Sequence, residues 1–246
     1  MSSAAGQGSS RTLPVLPVNE VHVWRAALDL EATVLGRLEA TLTADERSLA
    51  KRFHFSKDRK RFVATRAVLR EILARYLGRE PGWLRFAGGS YGKPFLLSGS
   101  RPHELRFNLA HAEDLALYVF AWQREVGIDV ERINSDFEGH QIAELFFSRQ
   151  ESYALRALPA SLQVEAFFNC WTRKEAYVKA RGEGLLATLS GFDVSLSPGE
   201  PAQLLSGGDG RWSLYTLTPG PGYAAAVVVE GNDCNLRLRK WKPMTR

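Results

Sequence analysis

Hydrophobic periodicity changes character twice along this chain, giving a strand, a block of helices and more strands, then a strand, a second block of helices and a second run of strands. Blocks of this kind, rather than strict strand and helix alternation, specify an α+β class. The first block reads as a strand over 21–26, helices over 28–40, 44–53 and 58–77, and strands over 105–110 and 115–122. The second reads as a strand over 126–130, helices over 141–146, 149–157 and 162–179, and strands over 192–196, 212–216, 223–229 and 236–239. No short-period repeat accompanies the echo. It suggests an N-terminal half over 18–122 and a C-terminal half over 123–246 with a site between them, preceded by a loose tail over 1–17.

Local signals fix several boundaries. Thr43 is an N-cap with Glu46 at the capping-box position, and Ser56 or Asp58 starts the long first-half helix. In that helix Phe62, Leu69, Ile72, Leu73 and Tyr76 share a face, while Arg59, Arg66, Arg70 and Arg75 spread over the rest. Gly78 stops it, and AGGSYGKPFLL follows as a glycine-rich turn entering an extended segment.

With 246 residues, 45% of them hydrophobic, the chain is long enough to bury a full core. The longest apolar runs, 116–122 and 223–229, are strand-length and far short of the roughly 20 residues that span a bilayer, so no membrane association is expected. The N-terminal residues lack a secretory pattern, and the two cysteines, Cys170 and Cys234, form no CxxC or zinc-like spacing; both point to a cytoplasmic protein. Cys170, in an apolar helix beside Trp171, is read as packing rather than as a nucleophile. Residues 51–79 carry ten Lys or Arg against two acids, although the whole chain is only +5. That local excess favours an anionic partner, with a solvated helix face as the alternative.

Acidic residues supply the sharpest chemical signal. Asp129 and Glu131 alternate in an apolar strand, so both leave one face. Trp171, Glu175 and Lys179 follow at helical spacing of four, placing a third carboxylate beside a cation. Magnesium prefers such oxygen ligands and retains water or phosphate oxygens in its shell, so Asp129, Glu131 and Glu175 suffice to hold it. The alternatives are a half-solvated edge strand and an ordinary Glu to Lys helix pair. Asn108 and His111 lie on or just after a strand as candidate ligand contacts, or as a turn residue and a capping histidine. Lys93 sits in Tyr91-Gly92-Lys93-Pro94, where glycine permits close backbone approach and proline fixes the exit, or which is simply a turn. Arg61 is a candidate phosphate clamp, with Asp58 as a competing helix partner. The glycines of ARGEGL end the helix that carries Lys179.

Taken in order, YGKP, FN-x-x-H, G-x-D-x-E, FFS-x-x-E and W-x-x-KEA-x-x-K-x-x-G-x-G resemble the phosphopantetheinyl transferase superfamily of the surfactin-synthetase-activating, Sfp-like type, from about residue 43 to 185. The resemblance implies a pseudo-dimer of two similar α+β halves with the active site in the cleft between them. It implies transfer of the 4'-phosphopantetheine arm of coenzyme A to a serine of an acidic acyl or peptidyl carrier protein, releasing adenosine 3',5'-bisphosphate, with magnesium, or manganese in its place, on the diphosphate. By the same resemblance Asp129, Glu131 and Glu175 are metal ligands, Glu175 or a metal-linked water is the candidate base, and Lys179 contacts the diphosphate. Arg61 and His111 serve the nucleotide phosphates, Asn108 is a further coenzyme A-binding residue, Tyr91, Gly92, Lys93 and Pro94 border the adenine, and Glu151 supports the site. Two similar halves in one chain make a monomer sufficient. This chain departs from the family pattern at Ala110, where serine is common, and at Glu46 and Leu49, where some members carry phosphate-binding lysines; Arg47, Lys51 or Arg52 are the nearby substitutes.

Two other functions fit some of these features. A metal-dependent nuclease would use acids and lysine on a basic chain, but that pattern spaces lysine two residues after the acid, and no basic-aromatic strand is evident, so no nucleic acid partner is expected. A non-catalytic coenzyme A or carrier-binding protein on the same fold would be expected to have lost a carboxylate, and all three are present.

Overall fold

The computed structural model describes residues 15–88, 93–97, 104–137, 139–183 and 189–243. β1 (Glu20–Ala27) is followed by α1 (Ala32–Glu39), α2 (Ala44–Ala50), α3 (Ser56–Leu77), a short pair β2 (Phe86–Gly88) and β3 (Pro94–Leu96), then β4 (Leu105–Ala112) and β5 (Leu115–Trp122). β6 (Val126–Arg132) leads to α4 (His140–Phe146), α5 (Arg149–Ala157) and α6 (Ala160–Arg181), and the chain continues through β7 (Asp193–Val194), β8 (Leu204–Ser206), β9 (Trp212–Leu217), β10 (Tyr223–Glu230) and β11 (Asn235–Lys240).

Two main sheets result, one ordered β11-β1-β5-β4 and one ordered β6-β10-β9. Alternating side chains divide the interior into three apolar layers. From β1, β4 and β5, Trp24, Phe107, Tyr118 and Phe120 pack under α3, whereas Val21, Val23, Leu117 and Val119 face the second sheet. From β10, Val227 and Val229 face the first sheet and Ala226 and Val228 face α6. The order is therefore helix, sheet, sheet, helix, and it explains why β5 and β10 are apolar on both faces. In α3, Leu69, Ile72 and Leu73 are fully buried, and each contributes about 1.5–3 kcal/mol relative to an exposed position.

β11 pairs parallel with β1, and β1 pairs antiparallel with β5. The last strand of the C-terminal segment is thus a strand of the first sheet. Asn108 joins the two sheets, its buried side-chain oxygen accepting from the Ile128 backbone N–H at 3.1 Å. It lies within β4, so it is not a turn residue.

Some local expectations are revised. Residues 28–31 are not helical, because the Leu28 N–H donates to the Asp114 carbonyl at 2.8 Å and α1 starts at Ala32. α3 starts at Ser56, but no side chain caps it. The strand expected over 192–196 shrinks to β7, which turns back through the Ser195 N–H to Gln203 carbonyl bond at 3.0 Å. Arg70 is not on a solvated face: it is 1% exposed, bonded to Glu46 at 2.8 Å and donating to the carbonyls of Pro81 and Leu84. Glu46 also completes the capping box with Thr43, so this departure from the family pattern holds α2 against α3.

Candidate active site

Close approach of one strand to one helix builds the site. A Cβ on Gly127 would stand 2.1 Å from the Ala176 carbonyl oxygen and 2.3 Å from the Ala180 nitrogen, so only glycine lets β6 lie on the α6 backbone here. With that contact made, the alternation of β6 sends Val126, Ile128 and Val130 into the layer between the sheets and leaves Asp129 and Glu131 on the α6 side. α6 supplies Glu175 and Lys179 one turn apart, and Gly182, in the left-handed region at φ 69°, ends it. β6 is an edge strand, yet Asp129 is 4% exposed, so its carboxylate is not the solvent-side group that an edge position suggests.

Lys179 Nζ lies 2.5 Å from Asp129 Oδ1, and Asp129 Oδ2 is buried without a hydrogen-bond partner among the described residues. Burial raises the Asp129 carboxyl against the pull of Lys179. Glu131 is pushed up to about 7, first by burial, then by the negative charge of Asp129 and Glu175, with Lys179 and Trp171 acting against the rise. Glu175 is raised by burial and by Asp129, again opposed by Lys179. Three carboxylates that feel one another in a poorly hydrated site, with a single ammonium among them, hold uncompensated negative charge.

That donor chemistry fits a hard divalent cation, and the unpartnered Asp129 oxygen is a free ligand for one. The side chains as they stand are drawn around Lys179: among the described residues no three His, Cys, Asp or Glu groups converge closely enough to grip a metal.

His111 adjoins this group from β4. Its ring is accessible, but surrounding protein lowers its pKa, with the positive charge of Arg61 and Lys179 adding to the effect. It therefore lies within electrical reach of both α3 and α6. Arg61, from α3, is engaged by Asp114 at 2.9 Å and Glu113 at 2.5 Å rather than by Asp58. Ala110, on the opposite face of β4 from His111, packs in the layer between the sheets.

Lys93 is set apart from the carboxylates. Its Nζ donates to Glu125 at 3.0 Å, to the Val126 carbonyl at 3.0 Å and to the Ala180 carbonyl at 3.4 Å, which ties the start of β3 to the ends of β6 and α6. Pro94 is the first residue of β3, while Tyr91 and Gly92 lie outside the described residues. Trp171 stacks on Phe167 and meets Phe146 edge-on.

Lys174 and Arg173, not singled out by their sequence, support α6 from behind together with Glu151. Lys174 is fully buried, paired with Glu151 at 2.8 Å and donating to the carbonyls of Leu189 at 2.7 Å and Phe192 at 2.5 Å. Arg173 donates to the Ser195 carbonyl at 2.5 Å and to Thr216 Oγ1 at 3.0 Å. Glu151 also completes a capping box with Ser148 and accepts from the Val194 N–H at 2.8 Å. The Ser148-x-x-Glu151 spacing was the available signal for the last of these roles. Cys170 is fully buried, and burial pushes its thiol well above the usual range, consistent with packing.

Comparison with known proteins decides the family. Residues 125–228 match the model of the 4'-phosphopantetheinyl transferase superfamily, and residues 31–122 match that of the 4'-phosphopantetheinyl transferase N-terminal region. The 4'-phosphopantetheinyl transferase HetI of Nostoc sp. is 42% identical over 213 residues, covering 87% of this chain and 89% of the relative. The chain belongs to the 4'-phosphopantetheinyl transferase superfamily. The transferase Sfp of Bacillus subtilis is 28% identical over 80% of this chain and 86% of its own length. Among solved structures, the holo-[acyl-carrier-protein] synthase of Thermotoga maritima overlaps 44% of this transferase and 62% of its own chain at 22% identity, with a TM-score of 0.35, too slight an overlap to argue from. The family match sets aside the nuclease reading.

Proposed function

We propose that this transferase moves the 4'-phosphopantetheine arm of coenzyme A onto a serine of an apo acyl or peptidyl carrier protein in the cytoplasm and releases adenosine 3',5'-bisphosphate. The observation that carries the reading is the grouping of Asp129, Glu131, Glu175 and Lys179 where β6 meets α6, with His111 of β4 and Arg61 of α3 within electrostatic range. In this reading the halves over 18–122 and 123–246 form a pseudo-dimer, and coenzyme A lies in the cleft between them. The arrangement of α3 against one sheet and α6 against the other supports it.

Asp129, Glu131 and Glu175 would hold magnesium or manganese, which when bound supplies positive charge to the coenzyme A diphosphate. Lys179 would move from Asp129 Oδ1 to a diphosphate oxygen, where it stabilises charge developing on the leaving phosphate. The serine oxygen attacks the β-phosphorus and the bond from that phosphorus to the bridging oxygen breaks, with adenosine 3',5'-bisphosphate departing. Glu175, whose pKa is raised, is suited to receive the serine proton. His111 and Arg61 would bind nucleotide phosphate, Arg61 by exchanging Asp114 or Glu113 for it; Tyr91, Gly92, Lys93 and Pro94 would flank the adenine.

The basic residues around Lys51, Arg52 and Lys57 would steer an acidic carrier, and one chain would be sufficient as a monomer. Among the described residues no helix is long and apolar enough to cross a membrane. The test is the intact mass of an apo carrier protein incubated with this protein, coenzyme A and magnesium, with EDTA as control. A gain of one phosphopantetheine that EDTA prevents is expected; no gain across carriers of fatty-acid, polyketide and peptide synthesis would overturn the reading.

A further inference from the structure

Arg25 of β1 stands opposite Lys240 of β11 in the parallel ladder. Both continue the face that Val21 and Val23 turn towards the second sheet, so two cations project side by side. Like charges in register repel. Neither side chain has an ion pair or hydrogen bond among the described residues, and Arg25 Nε is shut off from solvent without a partner. The Arg25 guanidinium reaches the turn after β9, with Nη2 3.6 Å from where a Cβ on Gly220 would stand.

Beside this pair is a hollow of about 240 Å³ lined by Val23, Leu117, Leu217 and Leu238, with Arg25, Arg239 and Lys240 among its walls and no acidic residue among the described residues that line it. Leu238 is 66% exposed although it lines the hollow. None of these residues belongs to the transferase site.

We propose that this hollow binds a medium-chain alkyl carboxylate, with the chain against Leu117, Leu217 and Leu238 and the head group between Arg25 and Lys240. The volume accommodates about eight groups the size of a water molecule, which sets the chain length. One carboxylate would relieve the repulsion of both cations and could take two parallel bonds from the guanidinium. An apolar floor with a purely cationic rim selects against neutral alkyl chains and against short hydrophilic anions alike.

The experiment is a titration of the full chain, methyl-labelled at Val and Leu, with octanoate, octan-1-ol and acetate. Saturable shifts at Val23, Leu117, Leu217 and Leu238 with octanoate are expected, together with at least about tenfold weaker binding of either control and of octanoate by R25Q/K240Q. Circular dichroism and transfer activity of that variant should match the parent. Should it fail to fold, K240Q alone, at an exposed position, is expected to weaken octanoate binding about threefold. Absence of saturable shifts at these methyls, equal binding of octanol and octanoate, or unchanged octanoate binding by a folded variant would overturn the proposal.

Discussion

Lys179 Nζ and Asp129 Oδ1, 2.5 Å apart, are contributed by helix α6 and strand β6, and the second oxygen of Asp129 is buried without a partner among the described residues. The pair holds in one place the charge that the transfer reaction needs in two. Asp129→Asn keeps the shape of the side chain and removes its charge. Transfer should fall at least about 100-fold, while thermal stability changes little; Lys179→Met should lose a comparable factor. Single-turnover rates and melting curves check both, and near-parental transfer by either variant would remove it from the mechanism.

Glu131 predicts a pH-dependent stability. Its pKa rises from 4.5 to about 7 on folding through burial and the neighbouring carboxylates. An acid raised on folding retains its proton longer in the folded state, so stability is highest below the unfolded value of 4.5 and declines as pH climbs through about 7. Glu131→Gln should therefore stabilise the metal-free protein at pH 8 by on the order of 1 kcal/mol for a partly exposed group, seen as a higher melting temperature, and not at pH 4. Melting curves at the two pH values, in EDTA, provide the check; equal effects at both would count against a buried charge.

Gly127→Ala would put a methyl group 2.1 Å from the Ala176 carbonyl oxygen. Backbone cannot yield as a side-chain tip does, so β6 must lift from α6. A loss of at least about 2 kcal/mol in stability is expected, along with a larger fall in transfer than in folded fraction, because Asp129 and Lys179 separate. Denaturant titration and activity per folded molecule distinguish the two effects.

Removal of Lys174 leaves Glu151 buried without its cation. Lys174→Ala should cost about 3–5 kcal/mol, and Glu151→Leu combined with Lys174→Met should recover part of that loss. A double-mutant cycle in urea gives the coupling; additive losses would show that the two residues act independently.

Carrier recognition should depend on salt. Lys51, Arg52 and Lys57 are exposed near the start of α3. Between low salt and about 0.5 M, the KM for an acidic carrier should rise several-fold with kcat nearly constant, since the screening length falls below the spacing of surface charges. An unchanged KM would exclude electrostatic steering.

Periodicity and punctuation made most elements legible. Thr43 and Glu46 marked the start of α2, Gly78 the end of α3, and apolar alternation the strands that carry Phe107 and Asp129. The carboxylates were legible by spacing, but their burial was not, because an edge strand with two acids reads the same whether a helix or water covers it. Arg70 and Lys174 were hidden for a related reason. A charged residue within an amphipathic helix looks solvated until a partner far along the chain, Glu46 or Glu151, is brought to it. Gly127 carried the decisive contact with α6, yet a glycine in a strand does not announce which backbone will approach it.

The parallel pairing of β11 with β1 imposes an order on folding. Asn235 is in register with Glu20, so the edge of β1 away from β5 has no neighbour until residues 235–240 have left the ribosome. Every earlier element, including both long helices and the strand bearing Asp129, is synthesised while that edge is open. Completion of the first sheet is consequently a late event joining sequence-distant segments, the kind of closure that slows folding and leaves a transient strand edge available to other chains.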